Sequence, residues 1–168
     1  MKPRTLKILF CLAFLLISRV WSSDFQPITV ILIRHAEKST EPAEDPVLSD
    51  AGKERVRGLV RLLELTGIDA IYTSQYARTR LTGEPLAEHL GISITQIDAA
   101  KTDALVTELL THGSGRTALV VGHSNTLPEI MHALGAGEIA EIPESEYDNL
   151  SLVTVYAPGK ATLLHLKY

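Results

Sequence analysis

The stretch ITVILIRHAE, residues 28–37, changes character at one point. Ile28 to Ile33 is an unbroken run of β-branched residues and leucine; Arg34 and His35 end it. A strand that is apolar on both sides is buried on both faces, as in parallel sheets covered by helices. In open sheets of that kind, sites form beyond the carboxyl ends of the strands. Arg34-His35-Ala36-Glu37 is therefore the first place to look for chemistry.

The pattern recurs further along. Thr117 to Val121, TALVV, reads as a second buried strand and runs into Gly122-His123-Ser124-Asn125. Ala70 to Thr73 reads as a short strand, followed by Ser74 and, a helical turn later, Arg78. Helices alternate with these strands. One opens at Ser49 and Asp50, carries Val56, Leu59, Val60 and Leu63 at helical spacing, and is expected to stop at Gly67. Another spans Gln75 to Leu90 with Gly91 as its end signal, and Pro85 is expected to kink or divide it. Ile92 to Ile97 reads as a strand and Ala104 to Leu110 as a helix. Leu127 to Leu134 is helical, with Pro128 near its first turn. Leu150 to Tyr156 and Ala161 to Leu166 read as strands joined by a Pro158-Gly159 turn. This order predicts an α/β three-layer sandwich with a mostly parallel central sheet and a C-terminal antiparallel hairpin.

Two arginines and two histidines, Arg34, His35, Arg78 and His123, would then meet at one edge of the sheet. Arginine presents a planar fork of donors that suits phosphate oxygens. A neutral histidine carries a ring-nitrogen lone pair that attacks electrophiles, and histidine also donates protons to charge developing on oxygen. The set suits a phosphoryl group better than a peptide or a sugar. No helix-type metal spacing such as HExxH surrounds the two histidines, so no metal is expected. His89, His112, His132 and His165 have no partner pattern and read as surface or packing residues.

Composition sets the outer bounds. The 168 residues, 45% of them apolar, suit one domain with a core. Residues 1–22 read as a separate segment. Lys2, Arg4 and Lys7 precede an apolar run, Ile8 to Ile17, and Val20-Trp21-Ser22 follows. That is the layout of a cleaved secretory signal peptide, and the run is too short to anchor the chain stably in a membrane. The expected domain is 23–168, and the expected location is outside the cell or in the periplasm. Removing the leader takes four of 16 Lys and Arg and leaves 12 against 20 Asp and Glu, a formal charge of −8. Nucleic acid is then not an expected partner. The single cysteine, Cys11, lies in the leader, so the domain has no disulfide and no thiolate nucleophile.

The segments LIRHAEK (32–38), TSQYARTRLTGEPLAEHLG (73–91) and VVGHSNTLPEI (120–130) together resemble the histidine phosphatase superfamily, the phosphoglycerate-mutase-like group. The resemblance runs through almost all of Ile28 to Tyr168 with the motifs in the family's order, and the compact build is similar to its small phosphohistidine-phosphatase-like branch. It implies a phosphohistidine intermediate on His35, a phosphate pocket of Arg34, Arg78 and His123, and no metal or organic cofactor.

Two departures shape the expected reaction. The Trp-Asn that sugar-phosphate mutases carry soon after the arginine-histidine pair is Lys38-Ser39-Thr40-Glu41 here, which speaks against mutase activity. The Asp that many members place after the second histidine is Ser124. The segment Asp98 to Gly115, where other members insert an acidic residue, offers only Asp98, Asp103 and Glu108; Asp103 is the candidate proton donor, with a helix-start carboxylate as its equal alternative. Glu37 is read either as a residue that orients a neighbour or as one half of a salt bridge. The expected function is hydrolysis of small phosphomonoesters or phosphoramidates. The alternatives are a phosphohistidine phosphatase acting on phosphoproteins, and a non-catalytic protein that binds phospholigands.

Overall fold

A computed structural model of the chain describes residues 25–168; the proposed leader lies outside the described residues. Ten elements alternate along it. They are β1 (Ile28–Arg34), α1 (Asp50–Leu63), β2 (Ala70–Thr73), α2 (Ala77–Leu90) and β3 (Ile94–Gln96). Then come α3 (Thr102–His112), β4 (Thr117–Gly122), α4 (Thr126–Ala133), β5 (Asn149–Ala157) and β6 (Lys160–Lys167). The six strands form one sheet in the order β3-β2-β4-β1-β5-β6. β3, β2, β4 and β1 are parallel, whereas β5 runs antiparallel to β1 and β6 antiparallel to β5. The expected mixed sheet with a terminal hairpin is the one observed.

Residues alternate across β1 and sort into two cores. Val30 and Leu32 join Ala118, Val120, Val153 and Val155 on one face, under Leu105 and Leu109 of α3 and Leu127 and Ile130 of α4. Ile31 and Ile33 join Ile71, Leu119 and Val121 on the other, under Leu59 and Leu63 of α1 and Leu86 of α2. Each such side chain removed from water contributes ~2 kcal/mol, which is why a strand sandwiched by two helix layers carries no polar residue in its middle.

Most element ends differ from the sequence reading by a residue or two, and those of α1, α2 and β3 have identifiable causes or consequences. α1 begins as expected, with the Ser49 side chain accepting from Gly52 N, but it ends at Leu63, ahead of Gly67. α2 starts at Ala77, not Gln75, because the carboxylate of Asp45 accepts from the Ala77 amide and fixes the helix start there. Pro85 does not divide α2, which continues to Leu90 and closes on left-handed Gly91 at φ 67°. The strand expected over 92–97 shortens to Ile94–Gln96, at the edge of the sheet where one side has no partner strand.

Candidate active site

Strand register sets the site. Ile33, Val121 and Thr73 lie side by side, and Arg34 pairs with Gly122, so three adjacent parallel strands end level with one another. The His35 amide donates to the Gly122 carbonyl at 3.0 Å and prolongs the ladder by one step. Glycine at 122 lets α4 fold back closely over the strand end: a β-carbon there would stand 2.7 Å from Leu127 Cδ2, and that buried side chain would have to shift. That fold-back lets the Thr126 hydroxyl accept from the His123 amide at 3.1 Å and holds His123 beside His35.

His35 and His123 are buried, with ring centroids 5.5 Å apart. His35 Nδ1 lies 2.8 Å from the Ala36 carbonyl. A carbonyl only accepts, so Nδ1 carries the proton and Nε2 keeps its lone pair. Burial lowers the His35 pKa to about 4, and the charges of Arg34 and Arg78 add to the effect. Burial likewise lowers His123 to about 4, with Arg78 the next cause. Both rings are therefore neutral near neutral pH. His123 Nε2 shares a hydrogen bond of 2.9 Å with Ser74 Oγ, which is itself 2.9 Å from Thr79 Oγ1. Thr79 in turn donates to the Tyr76 carbonyl, so the start of α2 orients the second histidine.

The two arginines differ. Arg78 lies 4.2 Å over the Tyr76 ring and 3.8 Å from Asp45, and its Nε has no hydrogen-bond partner. Arg34 is buried, 4.3 Å over the Tyr147 ring, and its Nη1 donates to the carbonyls of Pro143, Glu144 and Glu146. Its Nη2 donates to Glu144 Oε2 at 2.7 Å, and its Nε is unpartnered.

A cavity of about 440 Å³ opens at this edge, walled by His35, His123, Arg78, Lys38, Tyr76 and Glu144 among others. Arg34 stands one layer behind that wall, under the segment that carries Glu144. A larger groove of about 550 Å³ lies between α1 and α2, but Val47, Leu48, Val56, Val60, Leu81 and Pro85 make it apolar and no strand-end residue reaches it.

Asp103 is not at the site. It sits exposed in the first turn of α3, the place where a carboxylate meets the positive end of the helix dipole, and it does not line the cavity. Glu37 is half of a salt bridge, with both its oxygens accepting from Arg55. Two carboxylates do reach the cavity: Asp98, which the sequence offers within the segment 98–115, and Glu144, which the sequence reading missed. Its Oε1 accepts from Ser124 Oγ, and this bond, with Arg34, lowers its pKa below the usual carboxylate range. Glu144 is 20 residues from Ser124 on a segment without periodic pattern, so no spacing rule pointed to it. The four remaining histidines lie away from the cavity: His89 near Glu64, His112 near Glu108 and His132 near Glu138, all at the surface, and His165 hydrogen-bonded to the buried Ser151 and Asn149.

The family model described as "Histidine phosphatase superfamily (branch 1)" matches residues 30–101, the stretch that holds Arg34, His35 and Arg78. The match covers 72 of the 168 residues, and over that stretch the chain is similar to this superfamily. Among curated relatives, phosphoserine phosphatase 1 of Hydrogenobacter thermophilus is 34% identical over 77 residues. That match covers 42% of this chain and 36% of the relative, so it spans about a third of that protein's length. The fold is also similar to that of the protein histidine phosphatase SixA complexed with tungstate, at a TM-score of 0.69 and 19% identity over 83% of this chain and 97% of that one. A mycobacterial glucosyl-3-phosphoglycerate phosphatase with inorganic phosphate is similar at a TM-score of 0.65 and 13% identity, over 84% of this chain and 96% of that one.

Proposed function

We propose that the chain is an exported phosphatase that hydrolyses phosphomonoesters or phosphoramidates through a phosphohistidine on His35. The observation that carries this reading is the state of His35: buried, neutral, its proton committed to the Ala36 carbonyl, and on the wall of a cavity shared with His123 and Arg78. Nε2 attacks phosphorus, the bond from phosphorus to the leaving group breaks, and the leaving group takes its electron pair. Water then attacks the phosphohistidine, the N–P bond breaks, and phosphate departs. Phosphoryl transfer is mostly positioning and charge neutralisation, which Arg78, His123 and the free Nε of Arg34 supply. A phosphoryl group brings negative charge to both rings and raises their affinity for a proton, which strengthens the hydrogen bond that His123 gives to a phosphoryl oxygen.

The leaving group follows from the carboxylates. Asp103 is remote and Glu144 is held ionised by Ser124 and Arg34, so neither is a ready proton donor, and Asp98, the other carboxylate on the wall, has its Oδ1 engaged by the Ala100 amide. General acids typically contribute ~10²–10⁴-fold. Phosphoramidates and aryl phosphates, which leave with little help, should be turned over faster than simple alkyl phosphates. Rates across a series of falling leaving-group pKa test this: a steep dependence is expected, and a flat one with phosphoenzyme formation limiting contradicts it.

Phosphoprotein substrates are a second reading, supported by the short link between β3 and α3, Ile97 to Lys101, which leaves little chain to cover the cavity. Export rests on the leader-like residues 1–22. Mature protein beginning near Ser23 is expected on expression of the whole chain, and soluble cytoplasmic protein with Met1 or Lys2 intact would refute export and favour the phosphoprotein reading. A non-catalytic phospholigand binder would hold phosphate and never form phosphohistidine.

A further inference from the structure

Guanidinium Nε and Nη2 form one edge, the edge that grips two oxygens side by side. In Arg34 that edge faces the segment bearing Glu144, and it is half used. Nη2 donates to Glu144 Oε2 at 2.7 Å, while the adjacent Nε, buried, has no partner among the described residues. The arginine is 1% exposed and the glutamate side chain 72% exposed, so the fixed half of this pair is the arginine and the half free to leave is the carboxylate. Glu144 Oε1 is tied to Ser124 Oγ, next to His123. A side chain two bonds away from solvent freedom thus sits where the second oxygen of a phosphoryl group would complete the grip on Arg34.

The charges around the cavity sharpen the point. On its wall two cations, Lys38 and Arg78, face two carboxylates, Asp98 and Glu144, and both histidines are neutral. Arg78 has Asp45 at 3.8 Å besides. A site meant to hold a phosphate dianion as tightly as possible would not keep an ionised carboxylate on one of its two arginines, because like charges at close range repel strongly where water is partly excluded.

We infer that Glu144 is a specificity-determining residue: its carboxylate occupies the phosphate-gripping edge of Arg34, competes with the phosphoryl group for it, and so discriminates against dianions, free inorganic phosphate first among them. Substrate phosphoryl groups carry less negative charge than the free dianion when the leaving group is a protonated nitrogen, and they are disfavoured less. The consequence for turnover is weak retention of the product. This inference rests on the proposed phosphate site and adds to it the residue that limits phosphate affinity.

The test uses the mature protein and inorganic phosphate as the probe. Phosphate affinity is measured by calorimetry at pH 7.5 for wild type and E144Q, together with phosphate as a competitive inhibitor of turnover. Circular dichroism checks the fold, and should E144Q fold poorly, E144A takes its place. The variant is expected to bind phosphate about tenfold tighter or more, and to be inhibited by it at correspondingly lower concentration. Unchanged or weaker phosphate binding in the folded variant, with a wild type that forms phosphoenzyme, overturns the inference alone and makes Glu144 a support for Arg34. A wild type that neither binds phosphate nor forms phosphoenzyme overturns the underlying site reading and this inference with it.

Discussion

The two walls of the cavity are built from different material. One is the level end of β1, β2 and β4, where His35, His123 and Ser74 are buried and each is held by at least one hydrogen bond from its own or the next element. The other is the irregular segment leading into β5, where Glu144 is exposed and held by its side chain and by carbonyls that Arg34 collects. The first wall is preorganised because strand register and helix caps fix it before any substrate arrives. The second is adjustable at Glu144, because moving its carboxylate costs two side-chain bonds and leaves the sheet intact. Chemistry that needs sub-ångström placement belongs on the first wall, and selection among substrates belongs on the second.

Breaking the preorganised wall should have the largest effect. Arg78→Lys keeps a positive charge and loses the planar fork over Tyr76, so the rate should fall by ~10²-fold, the scale of losing one fixed donor. A loss below a few-fold in kcat/KM would place Arg78 outside the reacting site. A smaller effect, on stability, follows from the buried rings. His35 and His123 have pKa values lowered from 6.5 to about 4. The unfolded chain therefore takes up protons before the folded one does. Their share of stability is full above pH 6.5 and is lost as pH falls towards 4. Thermal melts should show Tm dropping across that window, and His35→Gln should flatten the drop; an unchanged slope in the variant would argue against the buried neutral ring. The smallest effect is expected at Asp103, off both walls. Asp103→Asn should change turnover of alkyl and aryl phosphates by less than about twofold, since surface changes away from a site do little. A selective loss on alkyl substrates would restore Asp103 as proton donor.

The first wall was legible in the sequence because its residues follow directly on buried strands. The apolar run Ile28 to Ile33 marks where β1 stops, and the same logic applied to TALVV finds His123. The helix starts were half legible: Ser49 acts locally as a cap, but Asp45 caps α2 from 32 residues upstream, and that shifted the helix start by two residues. The second wall was not legible, because it depends on a pairing that periodicity does not report. The hairpin of β5 and β6 is a local signal, but β5 also lies antiparallel to β1, with Ile33 opposite Leu150. That register sets the chain just before β5 beside the chain just after Ile33, and so brings Glu144 to Arg34 across 110 residues. Pro143, Glu144 and Glu146 have nothing in common as a motif; they matter as carbonyls and a carboxylate that meet one guanidinium.

The proposed reaction depends on His35 as the nucleophile. Wild type and His35→Asn should be mixed with a phosphoramidate, quenched in alkali within one turnover, digested and mapped by mass spectrometry. Phosphate that is stable in alkali, labile in acid and located on His35 in the wild type, with none in a folded His35→Asn protein that has lost turnover, is the predicted result. Normal turnover by His35→Asn, or phosphate trapped on another residue, would contradict it.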